Sequence, residues 1–173
     1  INAPLERLRK VELPPFQAAI QAGVLGVMAG HLYVPALEPE NGLPATLSSR
    51  ILTKLLRQEM GFSGLVFTDA MNMKGFAAGN TMEESTVRSF LAGSDVLLCP
   101  ANLKKAYQAL QEALRNGRIS PDRLDRSVKR ILEIKARLGL HRANATTSLP
   151  VVPFRTSISD ADQARKILAD AIT

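Results

Sequence analysis

By type and setting, Asp69 is the residue of this chain best placed to do chemistry. It follows Leu65-Val66-Phe67-Thr68, a short apolar, β-branched and aromatic run opened by Gly64. Such a run reads as a strand buried on both faces, the kind found in parallel sheets. A carboxylate at the C-terminal end of that strand stands where α/β barrels and open α/β sheets collect their functional groups. The plainer reading is that an Asp after a strand serves as a turn or helix-cap residue. A turn carrying Asn72 and Gly75 follows it.

Few other side chains offer chemistry. Cys99 is the single cysteine, so a disulfide framework or a cysteine-based metal site within the chain is excluded. His31 and His141 are far apart and form no His-x-x-x-His pair, so neither a metal nor any other cofactor is expected. The formal charge of +6, from 22 Lys and Arg against 16 Asp and Glu, is spread along helical stretches such as Arg123 to Arg137. Aromatics are only 5%, and no dense basic run is interleaved with them, which argues against nucleic-acid binding. No apolar run approaches the ~20 residues a membrane helix needs.

The elements that must position Asp69 are signalled by glycines and caps. Residues 1 to 13 are polar and mixed, and Pro14-Pro15 suits the first turn of a helix bearing Phe16, Ala19 and Ile20 and stopping at Gly23. Val24 to Ala29 reads as a buried strand. The loop from Gly30 to Ala45, with His31, Tyr33 and Glu38, is long for a compact domain, and such loops at strand ends are usually functional. Ser48 caps a helix bearing Ile51, Leu52, Leu55 and Leu56 that ends near Gly61. Thr81-Met82-Glu83-Glu84 has capping-box spacing ahead of a helix that stops at Gly93.

Asp95 to Pro100 is a third strand-like run, and Asn102 opens a helix that ends at Gly117. Ser120-Pro121 opens another, with Leu124, Val128, Ile131, Leu132, Ile134 and Leu138 apolar, closed by Gly139. Gly23, Gly61 and Gly93, ahead of the three strands, are separated by 38 and 32 positions, the spacing of βα units in a parallel sheet. Three wholly apolar strands cannot bury both faces of a sheet with the helices available, so further strands are expected from elsewhere. Residues 143 to 157 read as a linker, within which Asn144-Ala145-Thr146 fits the frequent N-glycosylation triplet. Asp160 and Asp162 signal a last helix from Ser159. The division expected is therefore 1–142 and 143–173.

The string Val66-Phe67-Thr68-Asp69-Ala70-Met71-Asn72-Met73-Lys74-Gly75, after Gly61-Phe62-Ser63-Gly64, resembles the nucleophile segment of family 3 glycoside hydrolases, particularly the bacterial β-N-acetylglucosaminidases. The resemblance runs from about Leu5 to Leu140. It includes Glu12 to Phe16 with Ala19 to Gly23, Val27 to His31 with Pro35-Ala36-Leu37, Pro44 to Ser48, Leu56-Arg57, and Gly93 to Leu98. It implies an α/β chain forming the C-terminal portion of a (β/α)8 TIM barrel, about three βα units, with Val24, Leu65 and Val96 on barrel strands 6 to 8.

The same resemblance implies a retaining mechanism. Asp69 attacks the anomeric carbon, a glycosyl-aspartate forms, and a separate acid/base residue protonates the leaving oxygen and then activates water. To stay ionised Asp69 needs hydrogen-bond donors, which Thr68, Asn72 or backbone N–H groups of the turn could supply. His31, at the end of the neighbouring strand, is a candidate for binding a sugar hydroxyl or the nucleophile, and Met71 and Met73 for lining an N-acetyl pocket. The partners implied are an N-acetylglucosamine-containing glycan or peptidoglycan fragment and the missing N-terminal part of the barrel.

One family string is missing: K-H-F-P-G-H-G-D-T, which carries the acid/base histidine, occurs nowhere in the sequence. The chain alone is therefore expected to be inactive. Within the family the rival is a β-glucosidase, whose nucleophile is usually followed by an aromatic residue; Ala70 stands there in this chain. Outside it, the rival is a non-catalytic barrel fragment or binding module with Asp69 only capping a turn.

Overall fold

Parallel strands β1 (Gly26–Ala29) and β2 (Leu65–Thr68) pair in register, Gly26 against Leu65 through Ala29 against Thr68. The structure is a computed structural model and describes residues 1–140. The expected linker, its glycosylation triplet, His141 and the last helix lie outside the described residues. The helices and strands of the described residues fall within the compact unit Ile1–Leu138.

The third strand is reduced to one parallel bridge, Phe67 to Val96. Its ladder is interrupted by a side chain: Thr68 Oγ1, rather than a backbone oxygen, accepts the Leu98 N–H at 2.9 Å. The Asp95 and Val96 N–H groups both turn to the Val66 carbonyl, at 2.8 and 3.1 Å. The run is still aligned beside β2, because Thr68 N–H donates to Val96 O at 3.0 Å.

Strand alternation sends Val27, Ala29, Val66 and Thr68 to one face of the sheet and Gly26, Met28, Leu65 and Phe67 to the other. The first face is covered. Ala29 and Val66 are buried with Leu52 and Leu56 of the π-helix Arg50–Glu59, with Phe62 and with Ala92. The second face is only partly covered, with Leu65 buried and the rest open. Met28 is 57% exposed and the Phe67 ring lies across Gly26, where an added Cβ would come within 2.8 Å of it.

The helical caps follow the sequence signals with two exceptions. Ser48 Oγ accepts the Ile51 N–H at 3.1 Å, Asn102 caps α4 (Leu103–Arg115), and Ser120 caps α5 (Pro121–Arg137). Thr81 caps α3 (Met82–Ala92) by accepting the Glu84 N–H, but the capping box is not reciprocal. The Glu84 carboxylate turns instead to Arg118, at 2.6 and 2.9 Å, because a bidentate guanidinium is a stronger donor than one backbone N–H.

The second exception is the start of the chain. Helix begins at α1 (Leu5–Arg7) and runs through the π-helical turn Leu8–Glu12 into α2 (Leu13–Gln21). Pro14 and Pro15 bring no N–H, so the turn ahead of them settles into wider hydrogen bonding, closed by Leu13 N–H on Leu8 O. The apolar stripe of α5 also differs from expectation: Leu124, Val128, Leu132 and Leu138 are exposed, and the helix is held instead through Ser127, Arg123 and Arg130.

Candidate active site

Asp69 continues the alternation of β2. Its N–H donates to Ala29 O at 2.9 Å, extending the β1–β2 pairing by one residue, so it falls on the open side with Leu65 and Phe67. The side chain is half-buried at the C-terminal end of the strand. Its Oδ1 accepts the Ala70 N–H at 2.8 Å. Of the three donors the sequence offered, this backbone N–H is the one engaged. Thr68, fully buried, points to the covered face and serves Leu98, and Asn72 is exposed.

His31 lies at the end of β1, and both its ring nitrogens are occupied. Nδ1 meets Thr46 Oγ1 at 2.9 Å and Nε2 meets Ala70 O at 3.1 Å. A carbonyl only accepts, so Nε2 carries the proton, and in the neutral ring Nδ1 accepts from the Thr46 hydroxyl. The imidazole also tilts against Phe76, with centroids 5.1 Å apart. In this arrangement the ring nitrogens meet Thr46 and Ala70 rather than the Asp69 carboxylate.

The two methionines diverge. Met71 is 1% exposed and is buried with Leu43, Leu47 and Phe76, which makes it a packing residue. Met73 is 50% exposed, on the loop beyond Asp69.

Two supports were not assigned from sequence. Glu38, in the long loop after β1, is buried, accepting the Ser48 hydroxyl at 2.5 Å and the Glu40 N–H at 3.0 Å. Asp95 sits beside β2, bonded to the Val66 backbone, with its side chain wholly buried. Its Oδ2 takes Arg57 Nη2 and the Val66 N–H, and its Oδ1 takes the Ser127 hydroxyl and Arg130 Nη1. Burial pulls the Arg57 guanidinium below its ordinary pKa and Arg123 down to about 10, with Asp95 acting against both shifts, so Arg123 stays a cation at neutral pH. A buried acid in a Ser-Asp-Val-Leu-Leu run, with an arginine 38 positions earlier, was the available signal.

A helix-backed parallel sheet with an acid at the C-terminal end of a central strand defines an α/β protein built from βα units. Residues 1–134 match the Glycosyl hydrolase family 3 N terminal domain, and the chain belongs to that family, whose N-terminal domain is a TIM barrel. It is similar to the Beta-N-acetylglucosaminidase/beta-glucosidase of Cellulomonas fimi, 38% identical over 91% of this chain and 29% of that protein. Among solved structures it is similar to a family 3 β-N-acetylglucosaminidase from Paenibacillus sp. str. FPU-7, with a TM-score of 0.79 at 37% identity, covering 96% of this chain and 32% of that one. The β-N-acetylglucosaminidase of Thermotoga maritima gives a TM-score of 0.72 at 32% identity, covering 79% and 30%. The chain thus spans about a third or less of the length of these relatives.

Proposed function

We propose that this chain supplies the nucleophile side of a retaining exo-glycosidase that releases terminal β-linked N-acetylglucosamine. The observation that carries the reading is the setting of Asp69: an acid at the C-terminal end of β2, on the open side of the sheet, half-buried and bonded to the Ala70 N–H. A carboxylate held through Oδ1 alone keeps its second oxygen free to attack an anomeric carbon. The chain forms the last part of the barrel, the remaining strands pairing at the edges of this sheet and the face bearing Met28 and Phe67 turning to the barrel interior. The acid/base group belongs to that remainder, so the chain alone is inactive. It first protonates the leaving oxygen, then draws a proton from the water that cleaves the glycosyl ester and restores Asp69. Met73 is the methionine free to meet an N-acetyl group.

The β-glucosidase reading has one observation in its favour, the double name of the Cellulomonas relative. Ala70 after the nucleophile, in place of a sugar-stacking aromatic, supports the N-acetylglucosaminidase. The test is the complete protein's release of p-nitrophenol from the β-N-acetylglucosaminide against the β-glucoside. Preference for the first supports the proposal, and preference for the second assigns the chain to the glucosidases.

A further inference from the structure

We propose that His31 is a positioning residue for Asp69, acting through the Ala70–Met71 peptide rather than through substrate; this rests on reading Asp69 as the nucleophile. That peptide is held from both sides. Its carbonyl accepts His31 Nε2–H at 3.1 Å, from the loop after β1, and its N–H donates to Leu98 O at 2.9 Å, on the third strand. The neighbouring peptide supplies the Ala70 N–H that holds Asp69 Oδ1 at 2.8 Å. The rotation of Ala70 between the two peptides therefore sets the direction of the donor that orients the carboxylate.

His31 is itself fixed. Thr46, fully buried in the 3-10 turn Ala45–Leu47, holds Nδ1, and the fully buried Phe76 stands against the ring. Gly75 passes close behind it, at a φ of +101° that favours glycine. With both nitrogens engaged by protein, the imidazole has no N–H and no lone pair to offer a sugar. Its remaining work is to hold the post-β2 turn at a fixed angle to β1. Small displacements of a reacting group, about 1 Å, can lower turnover on the order of 100-fold.

The experiment compares H31A, H31Q, H31N and D69A in the complete protein, with kcat and KM on p-nitrophenyl N-acetyl-β-glucosaminide and a thermal melt of each. Gln places an amide N–H near the Nε2 position and can reach Ala70, while Asn places its amide near Nδ1 and reaches only Thr46. Loss of kcat by roughly 100-fold in H31A and H31N, with KM little changed and H31Q restoring most of it, supports the proposal. Equal loss in H31Q and H31N, a rise in KM at constant kcat, or failure of all three His31 variants to fold overturns it. If D69A is inactive and the His31 series is flat, only the positioning role falls. If D69A keeps turnover, the nucleophile reading falls, whatever His31 does.

Discussion

The Arg57 guanidinium meets the Asp95 carboxylate at 2.5 Å, beside β2 and with the acid's side chain wholly out of solvent. Arg130 reaches the same carboxylate at 3.2 Å, so one acid compensates several cations. Removing one member of a buried pair leaves an uncompensated charge, at about 3–5 kcal/mol. Asp95→Asn is therefore expected to lower the melting temperature of the complete protein sharply. Arg130→Gln, whose side chain is a quarter exposed, should lower it far less.

Met71 tests the core beneath the candidate site. It sits 1% exposed among Leu43, Leu47 and Phe76, so Met71→Ala opens a cavity and should destabilise by about 2–5 kcal/mol. Met71→Leu, of similar volume, is expected to stay below about 1.5 kcal/mol in the same denaturant titration.

Gly64 precedes β2 at a site with no room for a side chain. An added Cβ would lie 2.5 Å from the Leu25 carbonyl oxygen and 2.7 Å from the Phe62 ring. Backbone cannot give way cheaply, so Gly64→Ala should cost about 1–3 kcal/mol and loosen the β1–β2 ladder. Amide hydrogen exchange of Leu65 and Asp69, whose N–H groups bond to Leu25 O and Ala29 O, reads that loosening directly.

The Glu84–Arg118 bridge on the surface carries a pH signature. The hydrogen bond from Arg118 lowers the Glu84 pKa below its ordinary 4.5. A carboxyl depressed in the folded state contributes stability that is whole above the unfolded pKa and is lost as pH falls through the folded one. Both side chains are more than a third exposed, so solvent limits the bridge to roughly 0–1 kcal/mol. Melts of Glu84→Gln and the parent protein should differ slightly at pH 7 and converge as pH drops below 4.5.

The sequence made the βα rhythm legible because its signals are local. Gly23, Gly61 and Gly93 end helices at positive φ, and Ser48, Asn102 and Ser120 each accept an N–H three residues on. What it hid depends on contacts between distant segments. The Phe67–Val96 pairing shrinks because a Thr68 hydroxyl takes the Leu98 N–H, and no alternation of residues announces that. His31 and Ala70 lie 39 positions apart, so no local pattern could announce the bond that engages the imidazole. Met71 and Met73 share a side chain and a loop, yet one is core and the other surface, a difference set by the turn between them.

The most direct test of the central claim is covalent. The complete protein is incubated with a fluorinated N-acetylglucosaminyl fluoride, which forms the glycosyl-enzyme faster than water removes it, then digested and mapped by mass spectrometry. A glycosyl adduct on the Asp69 carboxylate is the result the account predicts. An adduct on another carboxylate, or turnover of the reagent through no covalent species, would contradict it.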